Sequence, residues 1–536
     1  MTEPPSERRR LSNTEENHDE KKKPSNMPAS LSHPISPPRK RRARKRELIP
    51  SPIRLTTIQD LPDESNVGAV SLRDLLGDPL IAECWDFNYL HDVDFLMSHF
   101  DEDIRALVQV HVVHGFWKRE DLNKWTLELQ ASQYSNVTLH TAYMPEPFGT
   151  HHSKMLVLLR HDDTAQVIIH TANMIAKDWT NMTNGVWQTP PLPRLQTPQE
   201  PAETDMKVGS GPKFKADLLS YLRAYNNVRG VCRPLVDELQ KYDFSAVRGT
   251  LIASVPGRHD VNDDPSKTRW GWISIKQALR SVPVQEGNSE IVVQVSSIAT
   301  LGATDTWLQR TLFDSLSPPP PLRHTKQPRP AFKVVFPTAD EIRRSLDGYA
   351  SGGSVHTKTA SPAQAKQLLY LRPMLHHWAN DCEEGTPRAE EHDGGRKRAA
   401  PHIKTYIRYH RTSDGKNGSV DWALLTSANM SKQAWGEAAN ASSRQVRIAS
   451  WEIGVLVWPD LFAADGTARM AGAFGTDVPA REDLDGDGNG NGNGPLVGLR
   501  IPYSLPLQRY GDTEGPWVAT ETYTTPDCKG QTWGGY

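Results

Sequence analysis

Two histidines, two lysines and two asparagines recur in the same order in the two halves of this 536-residue sequence. His152 and Lys154 form an H-x-K tripeptide at the head of the apolar run KMLVLLR (154–160), and the next run, AQVIIHTAN (165–173), ends in Thr171-Ala172-Asn173. His402 and Lys404 open HIKTYIRYH (402–410), and WALLTSAN (422–429) ends in Ser427-Ala428-Asn429. Asn173 lies 21 residues after His152 and Asn429 lies 27 after His402, the extra length falling in loop 410–419. Residues i and i+2 of a strand share a face, so His and Lys of each pair point the same way. Such groups converging on one point suit a phosphate. Lysine ammonium groups and asparagine amides donate to its non-bridging oxygens and stabilise the charge of a five-coordinate transition state. One imidazole attacks phosphorus, while the other protonates the leaving oxygen and later activates water. Histidine suits both parts because its ordinary pKa of about 6.5 keeps both forms accessible. The chemistry needs no carboxylate cluster, so neither metal nor cofactor is expected. The symmetry of the pattern leaves open which histidine plays which part.

Two more H-x-K tripeptides, His324-Thr-Lys326 and His356-Thr-Lys358, lack the following strand and the asparagine and sit in Pro- or Gly-rich surroundings. They are expected to take no part.

The elements that must position these residues read as strands alternating with helices, which favours an α/β sandwich. In the first half the short β-rich runs are VQVHVVHGFW (108–117), VTLHTAYM (137–144) and the two runs around the first motif, with a helical stretch at FKADLLSYLRAY (214–225). A second series follows in GTLIASVPG (249–257), SEIVVQVSSIATLG (289–302), AFKVVFPT (331–338), the second motif and SWEIGVLVWP (450–459). The expected domains are a disordered tail over 1–74, one α/β unit over 75–258 and a second over 259–536, with the boundary near the turn VPGRHD. The run DLDGDGNGNGNG (483–494) lacks the closing Glu and helical flanks of an EF-hand and reads as a flexible linker. The segment 383–400, which ends GGRKRAAP, reads as a solvated insertion.

Hydrophobic residues make up 37% of the chain and no apolar run is long enough to span a bilayer. The four cysteines are far apart and form no CxxC pair, which argues for a reducing compartment. A net charge of −2 hides the basic block RKRRARKR (39–46). That block reads as a nuclear localisation signal or a nucleic-acid-binding arm, so the nucleus is the expected location. Any other nucleic-acid contact must be a local patch.

At the motif residues the chain resembles the phospholipase D superfamily, and more closely its tyrosyl-DNA phosphodiesterase branch of the 3′-end-processing type. The general superfamily motif has an Asp five residues after the Lys, where this chain has Leu159 and Tyr409, and that absence marks the branch. The similar segments are FGTHHSKMLVLL (148–159), HTANMIAKDW (170–179), PHIKTYIR (401–408), TSANMSKQAWG (426–436), WEIGVLVWP (451–459), FNYLHDVDFL (87–96), VPGRH (255–259), SSIATLG (296–302) and SLDGYASGGS (345–354). Together they run from about residue 75 to the C-terminus.

The resemblance implies two similar α-β-α sandwich domains sharing a pseudo-two-fold active site. It implies hydrolysis of the 3′-phosphodiester joining DNA to the tyrosine of a stalled type I topoisomerase, or of related 3′ blocking adducts, leaving a 3′-phosphate. His152 would be the nucleophile that forms a phosphohistidine, and His402 the acid and then the base. Lys154, Lys404, Asn173 and Asn429 would hold the phosphate, and Glu452 would orient an imidazole, while His151 would be structural. Phe148 would be a stacking platform for a base, and Ser297, Thr300, Ser354, Ser431 and Lys432 would hold the DNA backbone without reading sequence. The implied partners are DNA 3′ ends, single-stranded or nicked, and a topoisomerase-derived peptide; no membrane is implied, and the enzyme would be a monomer.

The chain departs from that pattern at three points. Asn184 stands eleven residues after the first motif Asn, where the family has Gln, and its shorter side chain would weaken support of the second histidine. Thr300 replaces the usual Ser and keeps the hydroxyl. The 383–400 loop is longer than usual.

Overall fold

The computed structural model describes residues 47–146, 148–197, 205–226, 230–264, 266–319, 328–380, 392–411, 417–439, 444–463, 465–480 and 494–535. The basic block 39–46, the tripeptide His324-Thr-Lys326 and nearly all of the 483–494 run lie outside the described residues.

The strands, in chain order, are β1 (Leu48–Ile49), β2 (Ile53–Leu55), β3 (Ile81–Phe87), β4 (Gln109–His114), β5 (Val137–Thr141), β6 (Met155–Arg160), β7 (Thr164–His170), β8 (Gly185–Gln188) and β9 (Leu192–Pro193). They continue as β10 (Thr250–Ser254), β11 (Gly257–Asp260), β12 (Ser289–Gln294), β13 (Ala331–Val335), β14 (Leu375–His376), β15 (Thr405–Arg411) and β16 (Asn417–Thr426). The last are β17 (Glu437–Ala438), β18 (Gln445–Ile448), β19 (Glu452–Val457), β20 (Arg469–Ala473) and β21 (Leu496–Arg500).

One sheet runs β2-β8-β7-β6-β3-β4-β5, with β9 also paired to β7. The larger sheet runs β1-β21-β20-β16-β15-β12-β13-β14, and β19 pairs with β16 on one side and β10 on the other. The two share a plan. Strands β3, β4 and β5 are parallel, as are β12, β13 and β14; each set is joined antiparallel to a hairpin, β6–β7 or β15–β16. These central strands are continuous apolar runs because both faces of each sheet are covered. Residues Met155–Leu159 of β6 are all buried, and so are Ala165–His170 of β7. The helix Gly211–Ala224 starts where Ser210 accepts a hydrogen bond from the Lys213 N–H and Pro212 sits in the first turn. It buries Phe214, Leu218, Leu219, Tyr221 and Leu222 in a core to which both sheets contribute.

Three expectations need correcting. Residues 48–55, expected within the disordered tail, are part of the fold: Leu48 pairs with Leu496, Ile53 pairs with Trp187, and Ile53 and Leu55 are buried. These strands are two and three residues long, too short for a visible alternation, and their partners are remote in sequence. The second sheet also takes in β10 (Thr250–Ser254), ahead of the expected boundary at 258, since β10 pairs along its length with β19 and VPGRHD follows it.

The end of the 383–400 segment is likewise no solvated insertion over the residues described. Arg396 is buried and donates to Asn66 Oδ1 at 3.2 Å and to the Thr56 carbonyl at 3.3 Å. Ala399 and Ala400 are buried too. A basic run reads as solvated in sequence, yet here its first arginine finds acceptors inside the fold.

Candidate active site

The peptide just before each motif histidine is hydrogen-bonded to the opposite half. The Trp451 N–H donates to the Thr150 carbonyl at 2.9 Å and the His152 N–H donates to the Trp451 carbonyl at 3.0 Å. On the other side the Thr183 N–H donates to the Ala400 carbonyl at 2.9 Å and the His402 N–H donates to the Thr183 carbonyl at 2.9 Å. Gly149 lets the first crossing close, because a Cβ there would stand 1.9 Å from the Ala449 carbonyl oxygen. These crossings set His152 and His402 at one cleft of about 310 Å³, which Asn173, Asn429 and Glu452 also line.

Each imidazole takes a carboxylate from the other half. His152 Nδ1 lies 3.0 Å from Glu452 Oε2. Burial opposes ionisation of Glu452, but the hydrogen bonds from His152 and Ser427 and the charge of Lys154 outweigh it and hold the carboxyl below its ordinary value. The carboxylate is therefore the acceptor and Nδ1–H the donor, which leaves the lone pair on Nε2. Burial, reinforced by Lys154, keeps the His152 imidazole below its ordinary value despite Glu452, so it is neutral at pH 7. Ser427 donates its hydroxyl to the same Glu452 oxygen at 2.5 Å.

His402 Nδ1 stands 3.0 Å from Asp178 Oδ2, at ion-pair distance though without the alignment of a hydrogen bond. Asn184, expected to support this histidine, does not touch it: its Oδ1 accepts from the Thr171 hydroxyl at 2.9 Å and its Nδ2 donates to the Asp178 carbonyl at 2.8 Å. The sequence reading missed Asp178. Its signal lay inside HTANMIAKDW, but an acidic residue in a helix first turn usually faces solvent, and here the helix Ala176–Thr180 turns it inward.

Lys154 and Lys404 are wholly buried behind the histidines, each donating to the carbonyl of its own motif histidine. Burial lowers Lys154 to about 8 and pushes Lys404, with Lys154 beside it, well below its ordinary value. Two buried ammonium groups so close to each other are stabilised by an anion placed between them. Asn429 Oδ1 accepts the N–H groups of Ser296 and Ser297 at 3.1 and 2.9 Å, so its Nδ2 remains to donate. Asn173 Oδ1 is buried without a hydrogen-bond partner among the described residues.

His151 is buried, its Nδ1–H donating to the Asn88 carbonyl at 2.8 Å and its Nε2 accepting from the Tyr225 hydroxyl at 2.9 Å. Phe148 is 85% exposed at the cleft, which leaves it no place in the core. Ser297, Ser354 and Ser431 line the cleft, whereas Thr300 and Lys432 lie beyond Phe148 in an adjoining cavity of about 270 Å³ with Glu437 and Arg447. The Thr300 hydroxyl accepts from Gln364 Nε2 at 2.9 Å, and Lys432 pairs with Glu437 at 3.3 Å. His356, set aside as a bystander in the sequence, lines the cleft as well, because its strand-like backbone bonds to Ser296 and Ile298 on both sides. Tyr89, Thr150, Gln433 and Ser450 also line the wall and were not singled out by the sequence.

A family model described as tyrosyl-DNA phosphodiesterase matches residues 52–511. Tyrosyl-DNA phosphodiesterase 1 of Drosophila melanogaster is 30% identical over 478 residues, covering 87% of this chain and 73% of that protein. Tyrosyl-DNA phosphodiesterase 1 of Arabidopsis thaliana is 29% identical over 510 residues, covering 91% of this chain and 77% of that one. The crystal structure of the yeast tyrosyl-DNA phosphodiesterase superposes with a TM-score of 0.60 at 18% identity, over 88% of this chain and 99% of that chain. At that identity the match carries the fold, a two-domain phospholipase D-like α/β architecture.

Proposed function

The chain belongs to the tyrosyl-DNA phosphodiesterase family, and from that premise we propose that it hydrolyses 3′-phosphotyrosyl and related 3′-blocking adducts on DNA through a phosphohistidine, leaving a 3′-phosphate. The observation that carries this reading is the pair of crossed imidazole–carboxylate contacts at one cleft with two buried lysines behind them.

In the first step His152 Nε2 attacks phosphorus and the bond from phosphorus to the tyrosyl oxygen breaks. The negative charge of the bound phosphate favours the protonated form of His402, which gives its Nε2 proton to that oxygen. In the second step a water oxygen bonds to phosphorus, its proton passes to His402 Nε2, and the bond to His152 breaks. The lysines and the asparagine amides take up the charge on the non-bridging oxygens. They supply the positive charge that the phosphate needs, so the reaction proceeds without a metal ion.

Phe148 stacks on a base of the strand, and Ser297, Ser354, Ser431, Thr300 and Lys432 hold its backbone. Such contacts accept any sequence and any small group beyond the phosphate. The basic block 39–46 supports a nuclear location, and one chain holds every residue that these steps use, as a monomer requires.

The test is cleavage of a single-stranded oligonucleotide carrying a 3′-phosphotyrosine, in EDTA, by wild type and by His152→Ala. A 3′-phosphate product from wild type alone is expected. Loss of activity on chelation would reject the metal-free chemistry, and no product from either protein would reject the substrate.

A further inference from the structure

We infer that Asp178 is the positioning residue for His402, holding its imidazole from the opposite half as Glu452 holds that of His152. This role rests on the reading of His402 as acid and then base, and it goes beyond that reading by naming the group through which His402 works.

The geometry places Asp178 Oδ2 at two functional groups at once. It stands 3.0 Å from His402 Nδ1 and accepts the Asn173 N–H at 2.7 Å. One carboxylate thus fixes a motif residue of the first half and the histidine of the second. The side chain is fully buried, and its Oδ1 has no hydrogen-bond partner among the described residues. A buried carboxylate with an idle oxygen is costly in a role of packing alone, and it is expected where its charge has a use.

Asn184 explains why this task falls to Asp178. Its amide spans from the Thr171 hydroxyl to the Asp178 carbonyl and goes no further. It braces the backbone of the residue that reaches the imidazole. A carboxylate does more at this place than an amide, because it stabilises the imidazolium that forms when His402 takes a proton.

Two reaction steps depend on this pair unequally. Tyrosine leaves as a phenol whose pKa is about 10, so the first step needs modest help from an acid. Water, with a pKa of about 15.7, must lose its proton in the second. Weakening Asp178 therefore slows the second step more and lets the covalent adduct build up.

The groups that face His402 are Lys404 and Lys154, which disfavour its charged form, Asp178, which favours it, and His356 across the cleft. Burial and Lys404 set its resting value at about 3. Removing the Asp178 charge moves the titration of His402 to lower pH, by about one unit.

The test is Asp178→Asn, nearly the same size and still able to accept from the Asn173 N–H, made in the full-length chain. With the 3′-phosphotyrosyl oligonucleotide, kcat should fall about 10- to 100-fold with little change in KM. The covalent adduct should become visible on denaturing gels, and the limb of the pH–rate profile that belongs to His402 should move to lower pH. Because a buried substitution can harm folding, the histidine ¹⁵N spectrum of the substrate-free protein gives a second readout. The His402 signals should shift while those of His152 stay in place. Wild-type kcat, pH profile and His402 signals in Asp178→Asn would overturn the inference. Wild type failing on the substrate, with the His402 signals still shifting in the variant, would instead overturn the functional reading and spare the pairing.

Discussion

Asn184 and Glu452 hold equivalent places in the two sheets, yet only Glu452 reaches a histidine. The Thr171 N–H donates to the Gly185 carbonyl at 3.1 Å and the Gly185 N–H to the Thr171 hydroxyl at 2.9 Å. Ser427 and Ile453 repeat both bonds at 2.9 and 3.0 Å. The residues just before Gly185 and Ile453 are Asn184 and Glu452. Thr171 gives its hydroxyl to Asn184 just as Ser427 gives its own to Glu452. The duplication is thus kept down to single hydrogen bonds, while the task at the histidine has passed on one side to Asp178.

Glu452→Gln keeps the shape of the side chain and removes its charge. The expected result is about a 100-fold lower kcat on the 3′-phosphotyrosyl oligonucleotide, with KM nearly unchanged. The nucleophile itself is impaired, so no adduct should accumulate in denaturing gels. Adduct building up in this variant would contradict the assignment of Glu452 to His152.

Lys154 makes activity and stability respond oppositely to alkali. Its value of about 8 means that the free enzyme loses this charge as pH rises through 8, and kcat/KM should fall there. In the unfolded chain the same group titrates near 10.5. Between these values the unfolded state holds more protons, so the contribution of this lysine to stability rises with pH, by on the order of 3 kcal/mol across the window. Steady-state rates and urea unfolding from pH 7 to 10.5 check both signs, and Lys154→Met should abolish this part of the stability rise.

Phe148→Ala should raise KM for an oligonucleotide about tenfold, since stacking on one base is worth about 1–3 kcal/mol. The melting temperature should stay within a degree or two, because the ring is 85% exposed. A KM unchanged in this variant would remove Phe148 from the DNA path.

Gly149→Ala puts a methyl group 1.9 Å from the Ala449 oxygen and 2.8 Å from its carbon, both main-chain atoms that cannot swing aside. The segment bearing His152 must then move away from Trp451 and Glu452. Activity should drop at least tenfold with a stability loss of about 1–3 kcal/mol, measured by kinetics and thermal melting on the same sample.

The histidine, lysine and asparagine pattern was legible in the sequence because each motif is local. A tripeptide, a strand, a turn and a second strand lie within thirty residues and appear twice. The central strands were legible for the same reason, being unbroken apolar runs. What stayed hidden depends on contacts between distant segments. Asp178 is one acidic residue in a short helix until the segment bearing His402 is laid across it. The short strands at Leu48 and Ile53 show no period of their own. Arg396 sits in a basic stretch whose acceptors, Asn66 and Thr56, lie more than 300 residues away.

The crossed carboxylates also set what can be separated. Either half, made alone, would carry one motif histidine with no acid beside it, and neither would show a weak form of the activity. Mixing the two halves should thus give an all-or-none signal for their docking. Glu452 and Asp178 each touch both halves, so a change at either registers across the whole site.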